Sequence, residues 1–230
     1  MARAKRRGGA GGGPGPGRGD AARDRAEVAQ VAARLMAEEG IPGFAEAKAR
    51  AADRLGIRGR QRLPRNDEIE AEIRAYQALF QADEQPFWLA SMRRTALAAM
   101  DLLAEFSPRL AGAVLRGTAA REAEVTLHLF TDPPERVATF LLDRGIPWEL
   151  DAWVGRFGRG EVELPMYRIS PEGQPVRLVV FPVEGPREAP RSPVDGRPMA
   201  RAGRDEVARL IADEAPRAEG EEGALGGTGG

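Results

Sequence analysis

The apolar residues of this 230-residue chain repeat at two different periods, and the switch between them, near residue 108, limits what it can fold into. Before the switch they recur every three or four positions. Val28, Val31, Leu35 and Met36 form one stripe closed by Gly40, and a second helix is expected over about 44–55, stopped by Gly56. Asn66 reads as the N-cap of a third helix, with Asp67 and Glu68 in its first turn and Ile69, Ile73, Tyr76 and Phe80 on its buried side. Pro86 suits the start of a fourth helix, which carries Leu89, Met92, Leu97, Met100 and Leu103 and ends before Pro108.

Beyond the switch the period falls to two. Strands are expected at 110–116, 125–130, 146–154, 161–169 and 176–181, with a helix between Asp132 and Asp143 and a last one over 204–212. Pro171-Glu172-Gly173 is a turn signal that joins the last two strands as a hairpin. Helices followed by a mixed pattern predict an α+β protein. Its parts are expected to be a disordered basic Gly/Pro-rich head over 1–19, a helical region over 20–84, a small mixed-sheet α/β domain over 85–213 on which the helices pack, and a disordered acidic Gly-rich tail over 214–230.

The head holds Arg3, Lys5, Arg6, Arg7 and Arg18 among Gly, Ala and Pro, too little apolar surface to offset the entropy of ordering it. The net charge of −1 conceals this asymmetry between the two ends. With no cysteine, the chain has no disulfide, thiolate metal site or cysteine nucleophile. No apolar run approaches the roughly 18 residues of a membrane helix, and no apolar core follows the N-terminal charges as in a secretory signal. The chain is therefore expected to be cytoplasmic, with no membrane partner. Arginine far outnumbers lysine, which occurs only at Lys5 and Lys48, a bias that fits a GC-rich bacterial genome.

Val114-Leu115 leads into Arg116-Gly117-Thr118, and the alternating strand Val125-Thr126-Leu127-His128-Leu129-Phe130 follows soon after. Over about residues 86–182 this arrangement resembles the core of the nucleotidyltransferase fold, and the whole chain is similar to small bacterial proteins described as nucleotidyltransferase-like. In that family one strand ends in Gly-Ser or Gly-Gly, the next carries two aspartates one residue apart, and a later strand adds a third carboxylate. Together they hold Mg²⁺ against a nucleoside triphosphate. The resemblance places Gly117 and Thr118 at the turn, Thr126 and His128 at the aspartate positions on one strand face, and Arg177 at the third. None of these is the charged oxygen donor that Mg²⁺ prefers. The resemblance thus implies a catalytically degenerate domain acting as a nucleotide-, RNA- or protein-binding module. A protein partner would use the N-terminal helices, where Phe87 and Trp88 stand near Arg93 and Arg94. Ligand contacts are expected from Arg116, Gly117, Thr118, Thr126, His128 and Arg197, the last in the turn-rich segment Ser192 to Met199.

Two other readings stand beside this one. An active nucleotidyltransferase would need relocated acids and Mg²⁺. Its catalytic candidates are Glu149 and Asp151, two apart on a strand, with His128 as a base; Glu161 and Glu163 form a second such pair. A nucleic-acid-binding regulator would use the basic head and the arginines of residues 58–65. The helix that would then enter the groove opens with Asp67, Glu68, Glu70 and Glu72, which repel phosphates.

Overall fold

The computed structural model describes residues 18–158 and 160–214, which form a mixed α+β protein. Among these residues there are seven α-helices and one five-stranded mixed sheet. The sequences expected to be a disordered head and tail fall almost wholly outside the described residues. The chain divides into two compact units, one ending at Ile73 and the other beginning at Arg74. No described helix is long and apolar enough to cross a membrane.

The first unit contains α1 (Arg18–Glu38), α2 (Phe44–Leu55) and the first turns of α3 (Asn66–Phe80). Val28, Ala32 and Leu35 of α1 and Ala47 and Ala51 of α2 are buried. Gly56 closes α2 at φ 65, as its position predicts. α3 begins at Asn66 itself, so the residue at the capping position is Arg65. The Asn66 Oδ1 accepts from Lys48 Nζ at 2.6 Å, while the Glu68 carboxylate accepts the Arg65 backbone N–H at 2.6 Å. The acid three residues along thus supplies the reciprocal half of a capping box.

The second unit holds α4 (Gln85–Leu102), α5 (Gly112–Arg116), α6 (Glu135–Asp143) and α7 (Arg204–Glu214). Its strands are β1 (Arg109–Ala111), β2 (Val125–Phe130), β3 (Glu149–Phe157), β4 (Gly160–Ile169) and β5 (Val176–Phe181), in the order β1-β2-β5-β4-β3. Only β2 and β5 run parallel; every other pairing is antiparallel. Every residue of β2 is buried, so both of its faces are covered. On one face Val125, Leu127 and Leu129 join Met92 and Met100 of α4, Phe140 of α6 and Val207 of α7 in the main core. On the other, Phe130 joins Val179, Phe181, Leu164 and Met166, with Trp153 and Phe157 against them. The segment 182–203 returns across this second face, where Arg201 lies over the rings of Phe130 and Phe181.

Two expected strands change. Residues 110–116 are not one strand: β1 ends at Ala111, Gly112 turns the chain at φ 78, and 112–116 form α5. The apolar pair Val114-Leu115 therefore belongs to a single short helix, a case where a brief apolar run does not reveal its period. The strand expected at 146–154 begins later, at Glu149. Gly145 (φ 64) and Ile146 donate to Leu142 O and Leu141 O at 3.0 and 2.9 Å, closing α6 in a Schellman arrangement, and Pro147 follows. A strand can start only after that cap.

The β4–β5 hairpin turns at Pro171-Glu172-Gly173, as read from the sequence. Glu172 there is left-handed, at φ 52. That conformation costs a non-glycine residue about 1 kcal/mol, part of which glycine returns through its freer unfolded chain. Glu172→Gly is expected to raise the urea unfolding midpoint, by up to about 1 kcal/mol of stability. A lowered midpoint would show that the Glu172 side chain itself holds the turn.

Candidate functional site

Backbone register lays one row of side chains across the sheet. Thr126 of β2 is opposite Arg177 of β5, Arg177 opposite Arg168 of β4, and Arg168 opposite Glu149 of β3. Two arginines directly opposite one another repel. Glu124, the residue before β2, answers them both: Oε1 accepts from Arg168 Nε at 2.9 Å, and Oε2 lies 3.1 Å from Arg177 Nε. Arg177 Nη2 also donates to Thr126 Oγ1 at 3.0 Å. Asp151 and Glu149 approach Arg168 at 3.5 and 3.8 Å. Burial pulls the Arg177 pKa below its usual value; Glu124 opposes the pull and Arg168 adds to it. The two arginine side chains keep about a third of their surface, 34% and 32%, so each single pair contributes modestly, about 1 kcal/mol or less. The row closes on itself, with two cations facing three carboxylates.

This donor set does not fit Mg²⁺, the ion the resemblance implies. Mg²⁺ takes hard oxygen ligands in a tight octahedron. Thr126 already accepts from Arg177, a guanidinium stands at the third position, and the nearby Glu124 bridges two arginines. Glu149 and Asp151 turn toward Arg168, and among the described residues no three His, Asp or Glu side chains gather as a metal site.

His128 lies further along the same face of β2 and is fully buried. Its Nδ1 accepts from Arg201 Nε at 3.0 Å, so the proton of the neutral ring sits on Nε2. Nε2 is buried and finds no partner among the described residues. The ring packs on Phe181 at 4.5 Å and Trp153 at 5.9 Å. Burial, and then the charges of Arg201 and Arg177, hold its pKa down at about 3. Such a ring is a packed acceptor for Arg201. A general base needs a pKa nearer the working pH and access to a substrate proton. Arg201 Nη1 in turn donates to Gly185 O at 2.9 Å, which ties the 182–203 segment together, while the bond to His128 fastens that segment to the sheet.

The other expected contacts stand apart from this row. Gly117 is the left-handed residue that ends α5, at φ 78. Its N–H and that of Thr118 both return to Ala113 O, so these amides are used inside the turn. Arg93 of α4 donates to Val114 O and Leu115 O at 3.2 and 3.3 Å, and Gln85 to Gly117 O at 3.0 Å. Arg116 is the half-buried last residue of that helix. Arg197 is 85% exposed in the Asp195-Gly196 turn, with Asp195 at 3.9 Å. The glycine that does end a strand is Gly112, where a Cβ would sit 3.6 Å from Thr126 Oγ1.

With this geometry in view, comparison was made with protein-family profiles, curated proteins and solved structures. The chain matches none of them.

The residues that organise the site and that pattern reading passes over are Glu124, Arg168 and Arg201. Glu124 carried a signal, since it lies two residues before Thr126 and period two puts both on one face. Arg168 and Arg201 carried none, because only register and chain return bring them to β2.

Proposed function

We propose that the α/β domain is nucleotidyltransferase-like but does not transfer nucleotides, and that it serves as a binding module. One observation carries this reading: Arg177 stands beside Thr126 on the neighbouring strand, bonded to it and paired with Glu124, where catalysis would need carboxylates around a metal. The β1–Gly112–α5–β2 succession, with β5 parallel to β2, supports the family resemblance. In this reading Gly112 takes the place that the sequence pattern gave to Gly117. Of the partners expected, nucleotide and RNA are disfavoured at this end of the sheet, because three carboxylates against two guanidiniums leave it negative.

The test is transfer itself. The full chain, incubated with each α-labelled nucleoside triphosphate and Mg²⁺ or Mn²⁺, is expected to label neither itself nor added RNA or protein. Metal-dependent labelling that disappears on replacing both Glu149 and Asp151 with alanine would overturn the reading in favour of relocated acids.

A further inference from the structure

β3 is the last strand of the sheet and, among the described strands, pairs only with β4. Glu149, Leu150, Asp151, Ala152 and Val154 are exposed along it. In an antiparallel pair, successive residues turn their backbone N–H and C=O alternately toward the partner strand and away from it. Three observations fix the phase in β3. Pro165, which has no N–H, stands opposite Ala152. The Ala152 N–H turns to the Asp151 carboxylate, at 2.8 Å. The Arg156 carbonyl accepts from the Arg191 backbone N–H at 2.6 Å. Leu150, Ala152, Val154 and Arg156 therefore present their backbone groups to the free edge, and Arg191 already holds the edge at Arg156. The open length is residues 150–154.

An open edge of this kind is a template for another strand, and the side chains say which strand fits. Leu150 and Val154 are 64% and 57% exposed, share one face of the sheet, and flank Ala152 symmetrically. A two-fold axis through Ala152 pairs the segment antiparallel with itself. Ala152 then meets Ala152 of a second copy, Leu150 meets its Val154, and each pair exchanges both backbone hydrogen bonds. Neighbouring registers are worse. An axis at Asp151 sets two carboxylates directly opposite each other, and one at Trp153 needs the Arg156 carbonyl that Arg191 holds. In the Ala152 register Arg156 of the second copy, its side chain 72% exposed, also comes opposite Trp148, which is 37% exposed, and a cation over an indole is a favourable pair. We propose that β3 is a self-association edge, through which two copies of this chain join their sheets antiparallel along residues 150–154. Asp151 restrains the joining, because its carboxylate must leave the Ala152 N–H, and inward charges of this kind blunt an edge. So few residues a side, against about 20–30 in a standard interface, make a weak dimer. The proposal stands on strand register and exposure and does not rest on the nucleotidyltransferase-like reading.

The experiment is sedimentation equilibrium of the full chain over a range of concentrations at about physiological ionic strength. A monomer–dimer equilibrium is expected, with a dissociation constant of about 10–100 μM. Ala152→Pro removes an N–H that β4 does not use, so the monomer stays folded while association weakens by about tenfold or more. Leu150→Lys, at an exposed position, is expected to act in the same direction. Asp151→Ala, which frees the Ala152 N–H, is expected to associate about tenfold more tightly. The chain has no cysteine, so Ala152→Cys adds a single thiol. Facing Cα atoms in a hydrogen-bonded pair lie about 5.5 Å apart, within disulfide reach. On mild oxidation this variant is expected to form a disulfide-linked dimer faster than Ala82→Cys, a control at an exposed turn. A parent that stays monomeric up to about 0.5 mM, a dimer indifferent to both Ala152→Pro and Leu150→Lys, no tightening with Asp151→Ala, or equal cross-linking of the two cysteine variants would each overturn the proposal.

Discussion

Between pH 6.5 and pH 4.5 the protein is expected to lose about 2–3 kcal/mol of folding stability through one residue, His128. In the folded chain its pKa is about 3, whereas an unfolded histidine titrates near the model value of 6.5. Above pH 6.5 the ring is neutral in both states and the full stability is present. Below it the unfolded chain takes up a proton that the folded chain refuses, so stability falls by about 1.4 kcal/mol per pH unit, down to the folded pKa. The cause is geometric. The ring sits between Phe181 and Trp153 with Arg201 donating to Nδ1, so an added proton would be buried and would face a guanidinium. His128 is the only histidine in the sequence, which makes the comparison clean. Urea unfolding of the parent and of His128→Gln, whose amide oxygen can still accept from Arg201, measures the effect at several pH values. The parent curve is expected to fall more steeply over this window, and parallel curves would show that His128 is not held neutral.

Phe181→Ala is expected to destabilise the domain by about 3–5 kcal/mol, the usual range for a buried phenylalanine. Phe181 is 2% exposed and sits at the centre of the second face of the sheet. Four rings surround it: His128 at 4.5 Å, Phe130 at 5.6 Å, Trp153 at 5.9 Å and Phe157 at 6.4 Å. The Arg201 guanidinium lies 4.7 Å from its centroid. Its loss leaves a cavity on the central strand β5 beside β2, which has little room to collapse, and loosens Arg201 from the sheet. The measurement is the urea midpoint and slope. A loss below about 1 kcal/mol would mean that this face is not packed as described. Because Phe181 and His128 share Trp153 and Arg201, their effects are expected to be non-additive.

Much of the fold was legible in the chain. The helix ending at Gly56, the Pro171-Glu172-Gly173 hairpin and the extent of β5 follow from turn chemistry and period, which act within a few residues. The errors came where the local signal is short or ambiguous. Val114-Leu115 is too brief to reveal its period, and the delay of β3 to Glu149 depends on how the Gly145 cap and Pro147 combine. Asn66 had the chemistry of an N-cap, but Lys48, eighteen residues earlier in the chain, engages its side chain.

The site divides the same way. That Thr126 and His128 share a strand face, and that no carboxylate accompanies them at the expected positions, follows from the sequence alone, because side chains on a strand alternate with period two. What that face does with its polar groups was decided by the tertiary structure. Register sets Arg177 beside Thr126 and Arg168 beside Arg177, and Glu124 closes over both. The return of residues 182–203 brings Arg201 onto His128. Apart from the hairpin neighbours Arg168 and Arg177, these partners lie between 44 and 73 residues apart in the chain. Local propensity does not reach that far; strand pairing and the burial of both faces of β2 do.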